Sequence, residues 1–473
     1  MTATHPQPTY QSVDPARGEV VERFDFASDE AIEEALAGGA AGFRQWSAVP
    51  IKERAAAALR LSKLFEERSD ALARIASEEM GKPLPEAVEE VEFCRDIFAY
   101  YGERGPGLAA DEEIENFSGD RAYVQKRPIG LLLGIMPWNF PYYQVARFAA
   151  PNLVLGNTVL LKHAETVPRC AEALQNLYRD AEVPTGVYQN IYATHAQIER
   201  IIGDPRVRGV SLTGSERAGR AVAEIAGRHL KKVVLELGGS DPYVVLDSAD
   251  IKQEAAQAWE TRLYNTGQVC NSNKRMIVME DDFKPFVDAL TEHAKSLVPG
   301  DPQNPADGTY APMSSRAAAE RVAELVDDAV AKGAKLHVGG SLSEAPSAYY
   351  SPAVLTGVTP QMRAYREELF GPVAVVYAVS SEDEALQLAN DSDYGLGGAV
   401  FSSDAERALR VASQLEVGMA NVNTPAGEGA EIPFGGVKGS GFGRELGPLG
   451  MDEFVNKRLM YVKQAPTDSE SDA

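Results

Sequence analysis

Cysteine is scarce in this chain of 473 residues, with only Cys94, Cys170 and Cys270 present. Three thiols cannot all pair with one another and stand at no metal-like spacing, so a disulfide framework is excluded and a reducing, cytoplasmic compartment is the expectation. Histidine is also thin: His5, His163, His195, His229, His293 and His337 are scattered, with no spacing that suits a metal. Long apolar runs are missing. The longest clean one, residues 129–136, falls far short of the roughly 20 residues a membrane helix needs. The first eight residues have neither a basic stretch nor an apolar one, so no secretory signal is visible. Positive charge is in deficit, with 46 Lys and Arg against 69 Asp and Glu and a net charge of −23. That excludes nucleic acid and anionic membrane as natural partners and reads as a solvated acidic surface. No fixed-period repeat occurs, which excludes a solenoid.

What is present is an ordinary globular composition, 44% hydrophobic and 24% charged. The chain is too long for one core, so two or three domains are expected. Helical spacing of Leu61, Leu64, Phe65, Leu72 and Ile75 predicts helix from Pro50 until Gly81 ends the run. A second helix is expected from Pro85 to Gly102, with Cys94 as core. From residue 129 short β-branched runs at 129–136, 158–161, 187–191, 207–212 and 233–235 alternate with helical stretches at 142–155, 168–180 and 216–228. A second alternating block follows, with strands at 243–246, 276–279, 373–379 and 399–401, which places a boundary near Ser240. Such alternation predicts an α/β protein with parallel sheets wound by helices, whose commonest guest is a dinucleotide.

Cys270 ends a polar, glycine-containing turn, Asn265, Thr266, Gly267, Gln268 and Val269, and is the one cysteine off an apolar helical face. A cysteine attacks as its thiolate, so such a turn makes it the candidate nucleophile. Pro137, Trp138, Asn139, Phe140 and Pro141 follow the strand at 129–136, and two prolines there brace a turn that aims the Asn139 amide at an oxyanion. Glu236 closes an apolar strand before Gly238 and Gly239, where burial raises a carboxyl pKa and suits a general base. Gly214 and Ser215 lie between strand and helix. They form either a phosphate-facing turn or an ordinary Ser215 cap, since the Gly-x-Gly-x-x-Gly spacing is absent. Lys162 and Glu165, three apart, form either a solvated charged loop or a pair that reaches two ribose hydroxyls, where a carboxylate repels a 2′-phosphate.

Taken together, the stretches 137–141, 162–165, 213–215, 236–239, 267–270, 368–372 and 433–445 resemble the aldehyde dehydrogenase family along nearly the whole chain. The resemblance implies two wound parallel-sheet domains and a small β oligomerisation arm. Residues 1–116 with 132–240 would form the cofactor-binding domain and 241–450 the catalytic domain. Residues 117–131 with 451–465 would form the arm, leaving 466–473 as a disordered tail. It further implies that Cys270 attacks an aldehyde, Asn139 holds the oxyanion and Glu236 activates water. Trp138, Lys162, Glu165, Gly214, Ser215, Leu237, Glu368 and Phe370 would hold the cofactor, NAD in preference to NADP. A homodimer or homotetramer follows from the same resemblance. Within the family, Arg147 and the run 144–151 are similar to bacterial succinate-semialdehyde enzymes, which implies that Arg147 meets a substrate carboxylate, with Phe140 and Phe434 beside it. Departures are Asn271, Ser272 and Asn273 after the cysteine, Tyr264 where some relatives carry a second arginine, and a segment at 423–432 that matches no subgroup. The alternatives are a dehydrogenase for another small aliphatic or polar aldehyde, and a catalytically silent binding protein on the same fold.

Overall fold

The structure, a computed structural model, describes residues 10–463, so the tail expected at 466–473 lies outside the described residues. The helical run that the sequence predicts from Pro50 to Gly81 is two helices, Ile51–Glu67 and Ser69–Met80, parted where Arg68 leaves helical geometry at φ −113° and ψ 14°. The following helix, Leu84–Leu108, does not stop at Gly102 but continues past it. Gly102 is there for contact: a methyl at its Cα would lie 2.6 Å from Leu59 Cδ2 on the neighbouring helix. It lets two helices approach and does not end one.

A six-stranded sheet runs in the order Gly441–Phe442, Lys232–Glu236, Val207–Thr213, Leu131–Met136, Thr158–His163, Tyr188–Asn190. Its last five strands are parallel. Their carboxyl ends therefore bring 137–139, 164–165, 214–215 and 237–239 to one edge, the edge where ligands of such sheets bind. Gly441–Phe442, counted from sequence with the later unit, instead returns to pair antiparallel with Lys232–Glu236.

The second sheet has seven strands, Lys335–Val338, Ala353–Thr356, Val373–Val379, Arg275–Met279, Pro242–Val245, Gly397–Phe401 and Met419–Val422. All but the first pairing are parallel. Residues 237–241 carry the chain from the carboxyl edge of the first sheet into the amino edge of the second. Cys270 precedes Arg275–Met279, and Phe370 precedes Val373–Val379, at that same amino edge. The two sheets thus face one another across the site. Three strands of this sheet, Lys335–Val338, Ala353–Thr356 and Met419–Val422, are not expected from the sequence.

The third sheet is antiparallel: Glu112–Ile114, Arg121–Pro128 and Val455–Val462, the last two in register from Val455 opposite Pro128 to Val462 opposite Arg121. It begins earlier than residue 117, and Leu131 already belongs to the first sheet. Among the described residues no helix is long and apolar enough to cross a membrane.

Candidate active site

The loop of the candidate nucleophile is a strained turn held from three sides. After the helix Ile251–Leu263, Asn265, Thr266 and Gly267 are all left-handed, at φ 49°, 54° and 73°. An L-residue there costs roughly 1–2 kcal/mol, so the surroundings must impose it. The Asn265 N–H donates to Glu86 Oε2 at 2.6 Å, and its amide Nδ2 donates to the Asn139 carbonyl at 2.8 Å. Gly267 lies so close to the Gly371 carbonyl that a methyl would stand 2.3 Å from it. Arg262, fully buried, ties these strands of chain together: Nε donates to Val373 O at 2.8 Å, Nη1 to Gly267 O at 3.1 Å and Ser272 Oγ at 3.0 Å, Nη2 to Leu369 O at 2.6 Å and Gly371 O at 2.5 Å.

The turn delivers Cys270, half-buried, to the wall of a cavity of about 700 Å³ that Phe140, Tyr143, Gln144, Asn271, Ser272 and Phe434 also line. Burial pushes the thiol up to about 11, while the Arg147 guanidinium and Lys274 ammonium work the other way. Cys94 and Cys170 are sealed in the core and raised far above the usual thiol range by burial, which leaves them inert. Lys274 Nζ donates to the Val269 and Cys270 carbonyls at 2.8 and 2.7 Å and pairs with Glu368 Oε1 at 3.0 Å.

Asn139 stands beside this loop, its Nδ2 donating to Gln268 O at 3.0 Å. One amide hydrogen is thereby placed, and the second remains for a ligand. Glu236 ends its strand 1% exposed, and neither carboxylate oxygen has a hydrogen-bond partner among the described residues. Burial first, then the nearby Glu445 charge, lifts its pKa well above the usual carboxyl range, against the pull of Arg147 and Arg444. A carboxylate so placed is a stronger base than one in water.

The edge of the first sheet suits a dinucleotide. Ser215 does cap the helix Glu216–Arg228, taking the Ala218 N–H at 3.3 Å. Beside it the space is open: a methyl on Gly214 would meet only Leu212 Cδ2, at 3.7 Å. A cap leaves room for an anion there, because the first turn offers more N–H groups than one serine satisfies. Glu368 Oε1 accepts the Gly239 N–H at 3.1 Å, and Trp138 meets Phe370 edge-on at 5.7 Å. Lys162 Nζ and Glu165 Oε1 are 2.5 Å apart. Leu237 is 5% exposed and packs against Gly219, within the apolar layer under the sheet.

Comparison with known proteins agrees with this geometry. A model of the aldehyde dehydrogenase family matches residues 2–460. The chain belongs to the aldehyde dehydrogenase family. The succinate-semialdehyde dehydrogenase [NADP(+)] of Deinococcus radiodurans is 51% identical over 472 residues, 99% of this chain and 98% of that one. The succinate semialdehyde dehydrogenase [NAD(P)+] of Escherichia coli is 40% identical, over 95% and 97% of the two chains. The solved succinic semialdehyde dehydrogenase of Streptococcus pyogenes, in complex with NADP+, superposes with a TM-score of 0.93 at 40% identity, covering 96% of this chain and all of the other. The protein is a pyridine-nucleotide-dependent oxidoreductase acting on an aldehyde.

Family membership supports a pyridine nucleotide, and the names of these relatives carry NADP(+) or NAD(P)+ where the sequence predicts NAD. That expectation rests on the charge of Glu165. Burial would raise its pKa, but Lys162 outweighs this and holds the carboxyl below its usual value, so the negative charge is already paired. His195 Nε2 lies 3.8 Å from the same oxygen. A paired carboxylate beside a lysine repels a 2′-phosphate far less than a free one.

Arg147, expected to grip a substrate carboxylate, is fully buried and absent from the cavity wall. Its Nε lies 2.8 Å from Glu445 Oε2 without hydrogen-bond alignment, and its guanidinium packs over the rings of Tyr143 and Phe434 at 4.7 and 4.3 Å. One helical turn earlier, Tyr143 and Gln144 occupy the wall instead. Phe140 and Phe434 do line the cavity, as do Asn271 and Ser272, but Asn273 is buried and donates to Ala258 O at 2.8 Å. Much of the segment 423–432 forms the cavity mouth. Sequence reading missed Tyr143, Gln144, Lys274 and Glu445. The first two carried a signal, since i+4 and i+5 after Asn139 share the helix that leaves its turn.

Proposed function

We propose that this protein oxidises succinic semialdehyde to succinate through a thioester on Cys270. The observation that carries the chemistry is a half-buried thiol on a cavity wall, an amide with a hydrogen to spare bonded to the loop that carries it, and an unpaired buried carboxylate close enough to act on the thiol electrostatically. The substrate is supported by the relatives in Deinococcus radiodurans, Escherichia coli and Streptococcus pyogenes, all named for that aldehyde.

In this reading Glu236 draws the thiol proton and the Cys270 sulfur adds to the aldehyde carbon. The Asn139 amide and the Cys270 N–H hold the oxygen as it becomes negative, worth about 2.7–4 kcal/mol for one preorganised donor. Lys162, Glu165, Gly214, Ser215 and Glu368, with Trp138 and Phe370, would hold the dinucleotide, which when bound would supply the hydride acceptor for this oxidation. Glu236, once it has passed the thiol proton to solvent, draws a proton from the water that attacks the thioester, and Cys270 leaves as thiolate. Both NADP and NAD are accepted, with NADP preferred. The edge strand Val455–Val462, with Leu459 and Tyr461 exposed, supports assembly into a homodimer or homotetramer through the arm. Its free thiols suit a reducing cytoplasm.

One observation favours a second reading, a small uncharged aldehyde. Among the described residues no lysine or arginine lines the cavity, whereas Glu89, Glu260 and Glu428 do. Steady-state formation of reduced nucleotide with succinic semialdehyde and with butanal separates the two. A kcat/KM for the carboxylated substrate well above that for butanal is expected, and equal values would overturn the substrate assignment. Cys270→Ala should abolish turnover of both, and residual turnover would sink the thioester route. Asn139→Ala should lower kcat about a hundredfold.

A further inference from the structure

A cavity that holds a carboxylated aldehyde without a lysine or arginine in its wall must meet that carboxylate with neutral donors. Two side chains supply them. Arg147 Nη1 donates to Tyr143 Oη at 3.4 Å, a long contact reinforced by the guanidinium stacked on the ring, and Nη2 donates to Gln144 Oε1. A phenol that accepts from arginine keeps its single hydrogen for another partner, and an amide whose oxygen accepts keeps both N–H groups. Neither the Tyr143 O–H nor the Gln144 Nε2 donates to any described residue. Both residues line the cavity that Cys270 lines. Arg147 itself is locked from behind: fully buried, against Glu445, and covered by Phe434.

We propose that Tyr143 Oη and Gln144 Nε2 form the seat for the far carboxylate of the substrate, with Arg147 as a positioning residue that fixes both side chains as donors. The seat rests on the succinic semialdehyde reading and names where that substrate's second charge goes. The arginine acts one residue removed: its charge polarises the phenol and the amide, and hydrogen bonds to a charged acceptor are about twice as strong as neutral ones. Because Glu89, Glu260 and Glu428 stand at the same cavity, the donors also have to outweigh a repulsive wall, which makes the seat specificity-determining.

The test is steady-state kinetics of the purified enzyme with NADP+, using succinic semialdehyde and butanal. Tyr143→Phe removes one donor. Gln144→Glu keeps an acceptor for Arg147 but replaces the amide donors with a negative charge. The expected result is a KM for succinic semialdehyde raised about tenfold or more in Tyr143→Phe and further in Gln144→Glu, with the butanal KM within about twofold of wild type. Nucleotide affinity and melting temperature should be unchanged, which a merely structural role would not allow. A wild type that prefers succinic semialdehyde, with variants whose KM is unmoved or moves equally for both aldehydes, overturns the seat and leaves the substrate standing. A wild type with no preference removes the substrate reading and the seat with it, before any variant is made. If Tyr143→Phe does not fold, Gln144→Glu alone decides.

Discussion

Arg147 and Arg262 are both fully buried, yet their surroundings differ in kind. Arg262 spends every contact on fixed points of the fold: four backbone carbonyls and the Ser272 hydroxyl, across the loop 265–272 and the chain entering Val373–Val379. Among the described residues no carboxylate pairs with it, and burial pulls its pKa down to about 9. Arg147 makes its contacts with side chains, Glu445, Gln144, Tyr143 and Phe434, two of which continue into the cavity wall as hydrogen-bonding groups. Tyr143 and Glu445 outweigh the effect of burial and keep it firmly charged. The same residue type thus serves geometry in one place and electrostatics in the other. A guanidinium that bonds only carbonyls holds a shape; one that bonds polarisable side chains hands its charge on.

The largest expected effect on this comparison is from Arg262→Met, which strands several buried carbonyls. It should cost about 3 kcal/mol or more, read as a lower denaturation midpoint, with kcat falling because the left-handed turn before Cys270 loses its tether. A stable, fully active Arg262→Met would mean that Glu86 and Asn139 hold the loop unaided.

Arg147→Met should act differently. It leaves Glu445 unpaired, so Arg147→Met with Glu445→Leu should be more stable than Arg147→Met alone. Because Arg147 lowers the Cys270 thiol, its removal should move the thiol above about 11 and slow alkylation by iodoacetamide at every pH below that value. An unchanged alkylation profile would show that the charge does not reach the sulfur.

A smaller effect concerns Glu86, whose carboxyl burial raises to about 7 while it holds the Asn265 N–H. The folded pKa exceeds the unfolded one, so between about pH 4.5 and 7 the folded state binds more protons. This contribution to stability is present below that window and is lost as pH rises through it. Glu86→Gln keeps an acceptor and removes the charge, so its melting temperature relative to wild type should climb by about 1–2 °C from pH 5 to pH 8. A constant difference would place the charge in water.

The smallest expected effect is from Glu428→Gln at the cavity mouth, an exposed site. It should lower the KM for succinic semialdehyde about twofold or less at low salt, with the gain gone at high salt. A gain that survives high salt would point to contact with the substrate.

Much of this site was legible because its chemistry is carried by strand ends and tight turns. Asn139 after a strand, Glu236 closing another and Cys270 after Gly267 are each marked by local residues that brace or free the backbone. Gly102 misled because a glycine inside a helix reads as a stop when the neighbour that needs its missing side chain, Leu59, lies far off in the chain. Glu165 was legible only in part: its charge is in the sequence, but the 2.5 Å pairing that offsets it is a matter of where Lys162 points.

The sequence by itself determined the alternation that winds two parallel sheets and the family, and it marked Cys270, Asn139 and Glu236 as candidates for nucleophile, amide donor and base, since these follow from residue type at fixed local spacing. Only the tertiary structure decided what the buried charges do. Whether an arginine meets a ligand, a carbonyl or a glutamate depends on elements that pack against it from distant parts of the chain. Glu445 lies on the segment that folds back beside Lys232–Glu236, and no local pattern places it behind Arg147.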